Sequence, residues 1–148
     1  MAICWVTCPG DLWELGRHKV LCADASKPES FARLLGRKTA QMVFIDPPYN
    51  VPINGHVCGM GRVKHREFAM AAGEMTAQEY AAFLETIFRH LVSHTTDGSL
   101  HYICIDWRHV ADLVVSAQGI YRELKNLCVW VKDNGGMGSL YRSQHELV

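Results

Sequence analysis

The chain has 148 residues, 49% of them hydrophobic, which is the size and apolar content of one ordinary domain with its own core. Fifteen Lys and Arg balance fifteen Asp and Glu, so no global field draws the protein toward nucleic acid, while a local basic surface stays open. No stretch approaches the roughly 18 consecutive apolar residues of a membrane span, and no basic leader precedes the first apolar residues. A cytoplasmic protein with no membrane partner is expected.

Six cysteines (Cys4, Cys8, Cys22, Cys58, Cys104 and Cys128) lack the paired C-x-x-C spacing of zinc ribbons, and reduced thiols are expected. His90 and His94 would share one face of a helix that ran that far, but H-E-x-x-H is absent and no third ligand stands out. No metal site is expected.

In chain order, residues 18–23 form a short apolar run that ends at Asp24-Ala25-Ser26, a strand followed by a turn. Ser26 and Glu29 have the spacing of a capping box, with Pro28 where an early helix tolerates it and Phe31, Leu34 and Leu35 at helical spacing before Gly36. Residues 41–45 are a nearly continuous apolar run, the pattern of a strand covered on both faces. It stops at Asp46-Pro47-Pro48-Tyr49. Residues 50–75 show no steady period and carry glycines, Pro52 and the basic residues Arg62, Lys64 and Arg66, which predicts a long mobile loop. Thr76 and Glu79 form a second capping box, opening a helix whose Tyr80, Phe83, Leu84, Ile87, Phe88 and Leu91 line one apolar face. Beyond the turn at Asp97-Gly98, residues 99–105 predict a strand, 107–118 a helix and 124–131 a further strand. This alternation argues for an α/β fold with a doubly wound sheet, in which ligands gather at the carboxyl ends of strands.

The tetrapeptide at that strand end suits chemistry on an aryl amine, whose lone pair is delocalised into its ring and poorly nucleophilic. Hydrogen-bond acceptors at the two amine hydrogens, the Asp46 carboxylate and the carbonyl after Pro47, would localise the lone pair for attack on an electrophilic methyl group. The two prolines fix φ and remove backbone donors. Tyr49 would replace the stacking partners that a flipped base loses. Taken alone, the tetrapeptide is equally a turn that ends a strand.

In context, Asp46-Pro47-Pro48-Tyr49 resembles the catalytic motif of the bacterial and phage DNA amino-methyltransferases of the adenine-N6 and cytosine-N4 type. Gly10-Asp11-Leu12-Trp13-Glu14-Leu15-Gly16-Arg17-His18 is similar to the lead-in of phage-type members, and residues 130–138 and 141–146 to a late motif that walls the target-base pocket. The resemblance implies a partial Rossmann-like S-adenosylmethionine-dependent methyltransferase sheet with flanking helices, and one catalytic domain spanning residues 1–148. It assigns Asp46, Pro47, Pro48 and Tyr49 to catalysis and Asp24, with Asp46, to S-adenosylmethionine. Asp24 is also a plain helix-entry turn residue. The implied partner is double-stranded DNA, met through Arg62, Lys64 and Arg66 of the long loop and through Lys132 and Arg142, which suit phosphates. As residues of a loop and a glycine hairpin, the same basic side chains are equally solvated charges.

The family's target-recognition region and its glycine-rich cofactor turn are not found in this sequence. The expectation is therefore an incomplete enzyme that needs a complementing C-terminal half or associates with itself through uncovered apolar surface. Both adenine and cytosine stay open as targets, with Asp in the first motif position leaning toward adenine. Two alternatives stand beside this reading: a methyltransferase acting on RNA or protein glutamine, and a non-catalytic nucleic-acid-binding remnant.

Overall fold

The structure, a computed structural model, describes residues 6–52, 68–135 and 140–148. Arg62, Lys64, Arg66, Cys4, Cys58, Gly136, Met137 and Gly138 lie outside the described residues. Strand β1 (Leu12–Leu15) and strand β2 (His18–Leu21) form an antiparallel hairpin with Leu15 opposite His18, closed by Gly16 at φ 63°. The single strand expected near residue 18 is thus the second arm of a hairpin, because Gly16 supplies the left-handed residue that a tight turn needs.

Helix α1 (Pro28–Leu35) starts one residue later than the Ser26–Glu29 pattern suggests, and its Lys27 cap makes no side-chain capping bond. The cause is local. Asp24 Oδ1 accepts from the Ser26 backbone N–H at 2.8 Å, drawing Ser26 into an Asx turn. Pro28 then holds Lys27 in extended backbone, φ −105° and ψ 127°, as the residue before a proline prefers.

Strand β3 (Ala40–Ile45) and strand β4 (Thr95–Ile103) pair in parallel, with Met42 opposite Leu100 and Ile45 opposite Ile103. The register slips between Ala40 and Met42, and β4 takes up the extra residues around Gly98, whose φ is 79°. The strand expected from residue 99 therefore begins at Thr95, and Asp97-Gly98 is an irregularity inside it instead of a turn before it. The backbone connection continues past β4: Ile105 and Leu147 exchange hydrogen bonds of 2.9 and 3.0 Å.

Helix α2 (Ala77–Ser93) carries both bonds of its capping box, Glu79 N–H to Thr76 Oγ1 at 3.3 Å and Thr76 N–H to Glu79 Oε2 at 2.8 Å. It buries Tyr80, Leu84, Ile87, Phe88 and Leu91, which with Val43 and Ala71 make the core. Helix α3 (Val110–Ala117) packs on α2. Strand β5 (Val129–Val131) pairs antiparallel with strand β6 (His145–Leu147), and Cys128 and Val148 extend the ladder with bonds of 2.9 and 3.0 Å. The last expected strand, residues 124–131, shrinks to its final three residues because β6 offers pairing only there. The spatial order is β3, β4 with its extension at Ile105, β6, β5, and β6 runs antiparallel to both neighbours.

An α/β fold is what these elements form. Coverage of β3 is one-sided, against expectation. Val43 is buried at 9% exposure, whereas Met42 and Phe44 on the opposite face are 61% and 64% exposed, beside Leu100 and Tyr102 of β4. An unbroken apolar run cannot say which of a strand's two faces finds a partner. Among the described residues, the four cysteines Cys8, Cys22, Cys104 and Cys128 are free thiols.

The two parts of α2 differ in what they contribute. Leu84→Ala, which empties a fully buried position, is expected to cost about 3 kcal/mol. Thr76→Ala, which removes the cap, is expected to cost about 1 kcal/mol. Urea unfolding followed by circular dichroism measures both.

Candidate active site

The apolar strand β3 delivers Asp46-Pro47-Pro48-Tyr49 to its carboxyl end, where two residues without backbone N–H groups stop the ladder. Pro47 is buried and Asp46 exposed. Tyr80, in the first turn of α2 and 1% exposed, donates its hydroxyl to the Pro48 carbonyl at 3.0 Å. Burial raises the Tyr80 phenol well above its ordinary value, helped by the charges of Asp106 and Asp112, so it remains a donor at any working pH. The edge of the His109 ring meets the Tyr80 ring with centroids 5.1 Å apart. Helix α2 thereby holds the second carbonyl of the motif and leaves that of Pro47 to other partners.

Tyr49 donates its hydroxyl to Asp46 Oδ1 at 2.5 Å. Its phenol is raised first by burial, then by that hydrogen bond and by the neighbouring charges of Asp46, Glu146 and Cys104. Strand β6, nearly a hundred residues away in sequence, is joined to this end of the β3–β4 pair by the bonds between Leu147 and Ile105. Glu146 Oε1 pairs with Lys132 Nζ, while Glu146 Oε2 is buried without a hydrogen-bond partner among the described residues. Lys132 Nζ also sits 5.6 Å from the centroid of Trp130, and Arg142 Nη2 donates to the Gly135 carbonyl at 3.0 Å. Both predicted phosphate ligands therefore brace the connection between β5 and β6.

Asn50 closes the motif. Its φ of 54° is the left-handed conformation that Asn tolerates better than most residues. Its Nδ2 donates to the Met75 carbonyl at 2.9 Å, and its Oδ1 accepts from the backbone N–H groups of Gly73 and Met75 at 3.1 and 3.2 Å. Gly73 is required there: a Cβ at that position would lie 2.7 Å from Pro52 Cδ. Both flanks of the long segment after the motif are thus tied together at its base.

A cavity of about 460 Å³ opens against this turn, within the range that small-molecule sites occupy. Asp24 and Ser26 line one side and Asp46, Pro47 and Pro48 another, over a floor of Phe31, Phe83, Ile87 and Leu91. Asp24 and Asp46, the two cofactor candidates of the sequence, meet on one cavity. Tyr49 is not among the residues that line it. The hydrogen bonds from Ser26 hold the Asp24 carboxyl below its ordinary value, with a smaller contribution from the Lys27 charge. His90 contacts the Ser26 carbonyl at 3.1 Å and packs with His94 on the Phe31 ring. Among the described residues, no group of three His, Cys, Asp or Glu side chains could hold a metal ion.

The sequence analysis gave roles to neither Tyr80 nor Asn50. Tyr80 reads as the first residue of an apolar helix face, and only its hydroxyl, a polar group that must find a partner when buried, signals a second task. His101, Asp106 and Trp107 received no role either. The His101 ring bonds Tyr121 at 2.9 Å and burial lowers its pKa; Asp106 accepts from the His109 backbone at 3.1 Å and from Arg108 at 2.9 Å.

Asn50→Ala, which deletes three hydrogen bonds and places a Cβ without Asn's compensation at positive φ, is expected to lose roughly 2 kcal/mol, more than Asn50→Gly, in urea unfolding. Because the folded Asp24 carboxyl is depressed, its stabilisation is full above the unfolded value near 3.8 and fades as pH falls through the lower folded value. Asp24→Asn is expected to flatten the loss of stability between pH 5 and pH 3, read from unfolding midpoints across that range.

Residues 40–148 match the family model described as DNA methylase, of the N6/N4 type. No curated protein gives a significant match to the chain.

Proposed function

Since that match spans most of the chain, the protein belongs to the N6/N4 DNA methylase family, and we propose that its cavity is built for S-adenosylmethionine and its Asp-Pro-Pro-Tyr turn for the exocyclic amine of a flipped adenine or cytosine. The observation that carries this reading is the meeting of Asp24 and Asp46 on one cavity whose rim is the Pro47-Pro48 turn. The residues present suit the cofactor. The carboxylates of Asp24 and Asp46 accept from ribose and amine donors, while Phe31, Phe83, Ile87 and Leu91 offer an apolar floor for a purine. When bound, the cofactor supplies an electrophilic methyl group.

The chain's own residues supply position and polarity. The Asp46 carboxylate and the Pro47 carbonyl accept from the two hydrogens of the target amine, drawing its lone pair out of the ring toward the methyl group. Tyr80 keeps the neighbouring Pro48 carbonyl turned inward, so the turn presents one carbonyl and not two. The Tyr49 ring stacks on the extruded base and restores part of the stacking lost from the duplex. Lys132 and Arg142, with Arg62, Lys64 and Arg66 of the long segment, take the DNA backbone in this reading. The parallel β3–β4 pair, with ligands at its carboxyl end and helix α2 across it, fits part of a Rossmann-like methyltransferase sheet.

Calorimetric titration with S-adenosylmethionine is the test. The expected result is binding by the native chain that Asp24→Ala weakens at least tenfold; a native chain with no heat of binding sinks the cofactor assignment. With duplex DNA of mixed sequence and labelled cofactor, Asp46→Ala is expected to lower methyl transfer about a hundredfold or more, and methylated product at the native rate would remove Asp46 from the chemistry.

A further inference from the structure

Asp24 reaches the cavity from a turn between β2 and α1, outside any helix or strand. Its Oδ1 accepts from the Ser26 N–H at 2.8 Å, and its carbonyl accepts from Ser30 Oγ at 2.6 Å and from the Lys27 N–H at 3.2 Å. These bonds stay within residues 24–30, so they give the turn its shape and not its distance from Asp46 on the other side of the cavity. A further bond reaches out of the turn to α2. The Ser26 carbonyl meets His90 Nε2 at 3.1 Å across 64 positions of sequence, and because a carbonyl only accepts, His90 is the donor and carries its proton on Nε2. The His90 ring is seated against Phe31, with centroids 5.7 Å apart, and Phe31 stacks in turn on His94 at 5.1 Å. Tyr80 and His90 stand ten residues apart on α2, about 15 Å along its axis, and one holds the Pro48 carbonyl while the other holds that of Ser26.

We propose that His90 is a positioning residue which fastens the Asp24 turn to α2 and thereby sets the span between the Asp24 and Asp46 carboxylates that the cofactor bridges. His90 acts through Ser26: it holds the carbonyl of the residue whose N–H the Asp24 carboxylate accepts. Without that donor the half-buried Ser26 carbonyl has to find another, and the Ser26 N–H is no longer aimed at Asp24 by a fixed backbone. The Asp24 carboxyl reports the change directly, since its hydrogen bonds from Ser26 are what hold it below its ordinary value. Leucine at position 90 keeps apolar bulk against Phe31 and donates nothing, whereas glutamine offers an N–H donor four bonds from Cα, as far out as His90 Nε2. The identity of the ligand rests on the functional reading above; the hold of His90 on the turn does not.

The two can be tested apart with the aspartate carboxyl carbons labelled with carbon-13, the Asp24 resonance being assigned by its loss in Asp24→Asn. In His90→Leu the titration midpoint of Asp24 is expected to rise toward the 3.8 of a free side chain, and in His90→Gln to return toward its native place. Calorimetric titration with S-adenosylmethionine is expected to show affinity about fivefold weaker for His90→Leu and near native for His90→Gln. Phe88→Leu, a core change on the same helix that does not line the cavity, is the control for general loosening: thermal unfolding is expected to show it folded but less stable, with Asp24 and the affinity unmoved. An Asp24 midpoint that stays in place in His90→Leu, or that moves as far in His90→Gln or Phe88→Leu, would overturn the hold on the turn. Native affinity in His90→Leu would overturn its consequence for the cofactor. If Asp24 moves and returns as expected but the native chain gives no heat with S-adenosylmethionine, the hold of His90 on the turn stands and the cofactor reading falls.

Discussion

The apolar face of α2 is the constraint on which the other features hang. Five of the seven residues in the buried cluster belong to it, and the remaining two, Val43 and Ala71, come from the strand and the segment it packs against. Burial of this kind is non-directional and would tolerate small slides of the helix. Register comes from polar bonds at one end. The capping box at Thr76 sets where the helix begins, and Tyr80, one turn in, ties that beginning to the Pro48 carbonyl. Phe83, Ile87 and Leu91 follow at helical spacing along the cavity floor. The same helix therefore places both the floor of the cavity and the backbone of the motif, and a change in its packing would be felt at both.

The electrostatics of the site follow a division of labour. Asp24, Asp46 and Glu146 bring carboxylates to the neighbourhood of the motif, with Lys132 committed to one of them. Such a surface favours groups that carry N–H or O–H donors or positive charge and repels phosphate near the reacting atoms. The chain as a whole has no net charge, so any attraction for phosphate has to come from local basic groups, and Lys132 already has a carboxylate partner.

Elements whose signals are local were legible in the sequence. Helix α2 declares itself through its capping box and a six-residue apolar face, and β3 through its run of apolar residues ended by two prolines. The Asp46–Tyr49 turn stands out because prolines at a strand end are rare and restrictive. Elements whose form depends on partners far away were not. The hairpin of β1 and β2 hides in a segment without clear alternation, β6 is three residues long and exists only by pairing with both Ile105 and β5, and the exposure of Met42 and Phe44 depends on what lies above them. Ser26 illustrates the limit of pattern matching: its spacing to Glu29 is right for a capping box, yet the nearer carboxylate of Asp24 takes its N–H first. Tyr80 escaped for a related reason: its second task becomes visible only when the Pro48 carbonyl across from it is known.

Strand β6 sits between Ile105 and β5, in the interior of a ladder, although it is made after both. During synthesis at about 5–20 residues per second, the Asp-Pro-Pro-Tyr turn is made roughly 5–20 s, and α2 roughly 3–11 s, before Glu146 is joined to the chain. Every residue that lines the cavity, from Ala23 to Leu91, is joined before β6, whereas β5 precedes β6 by only about 1–3 s at that rate. The pairing that seats β6 between Ile105 and β5 therefore depends on residues synthesised after all those that line the cavity.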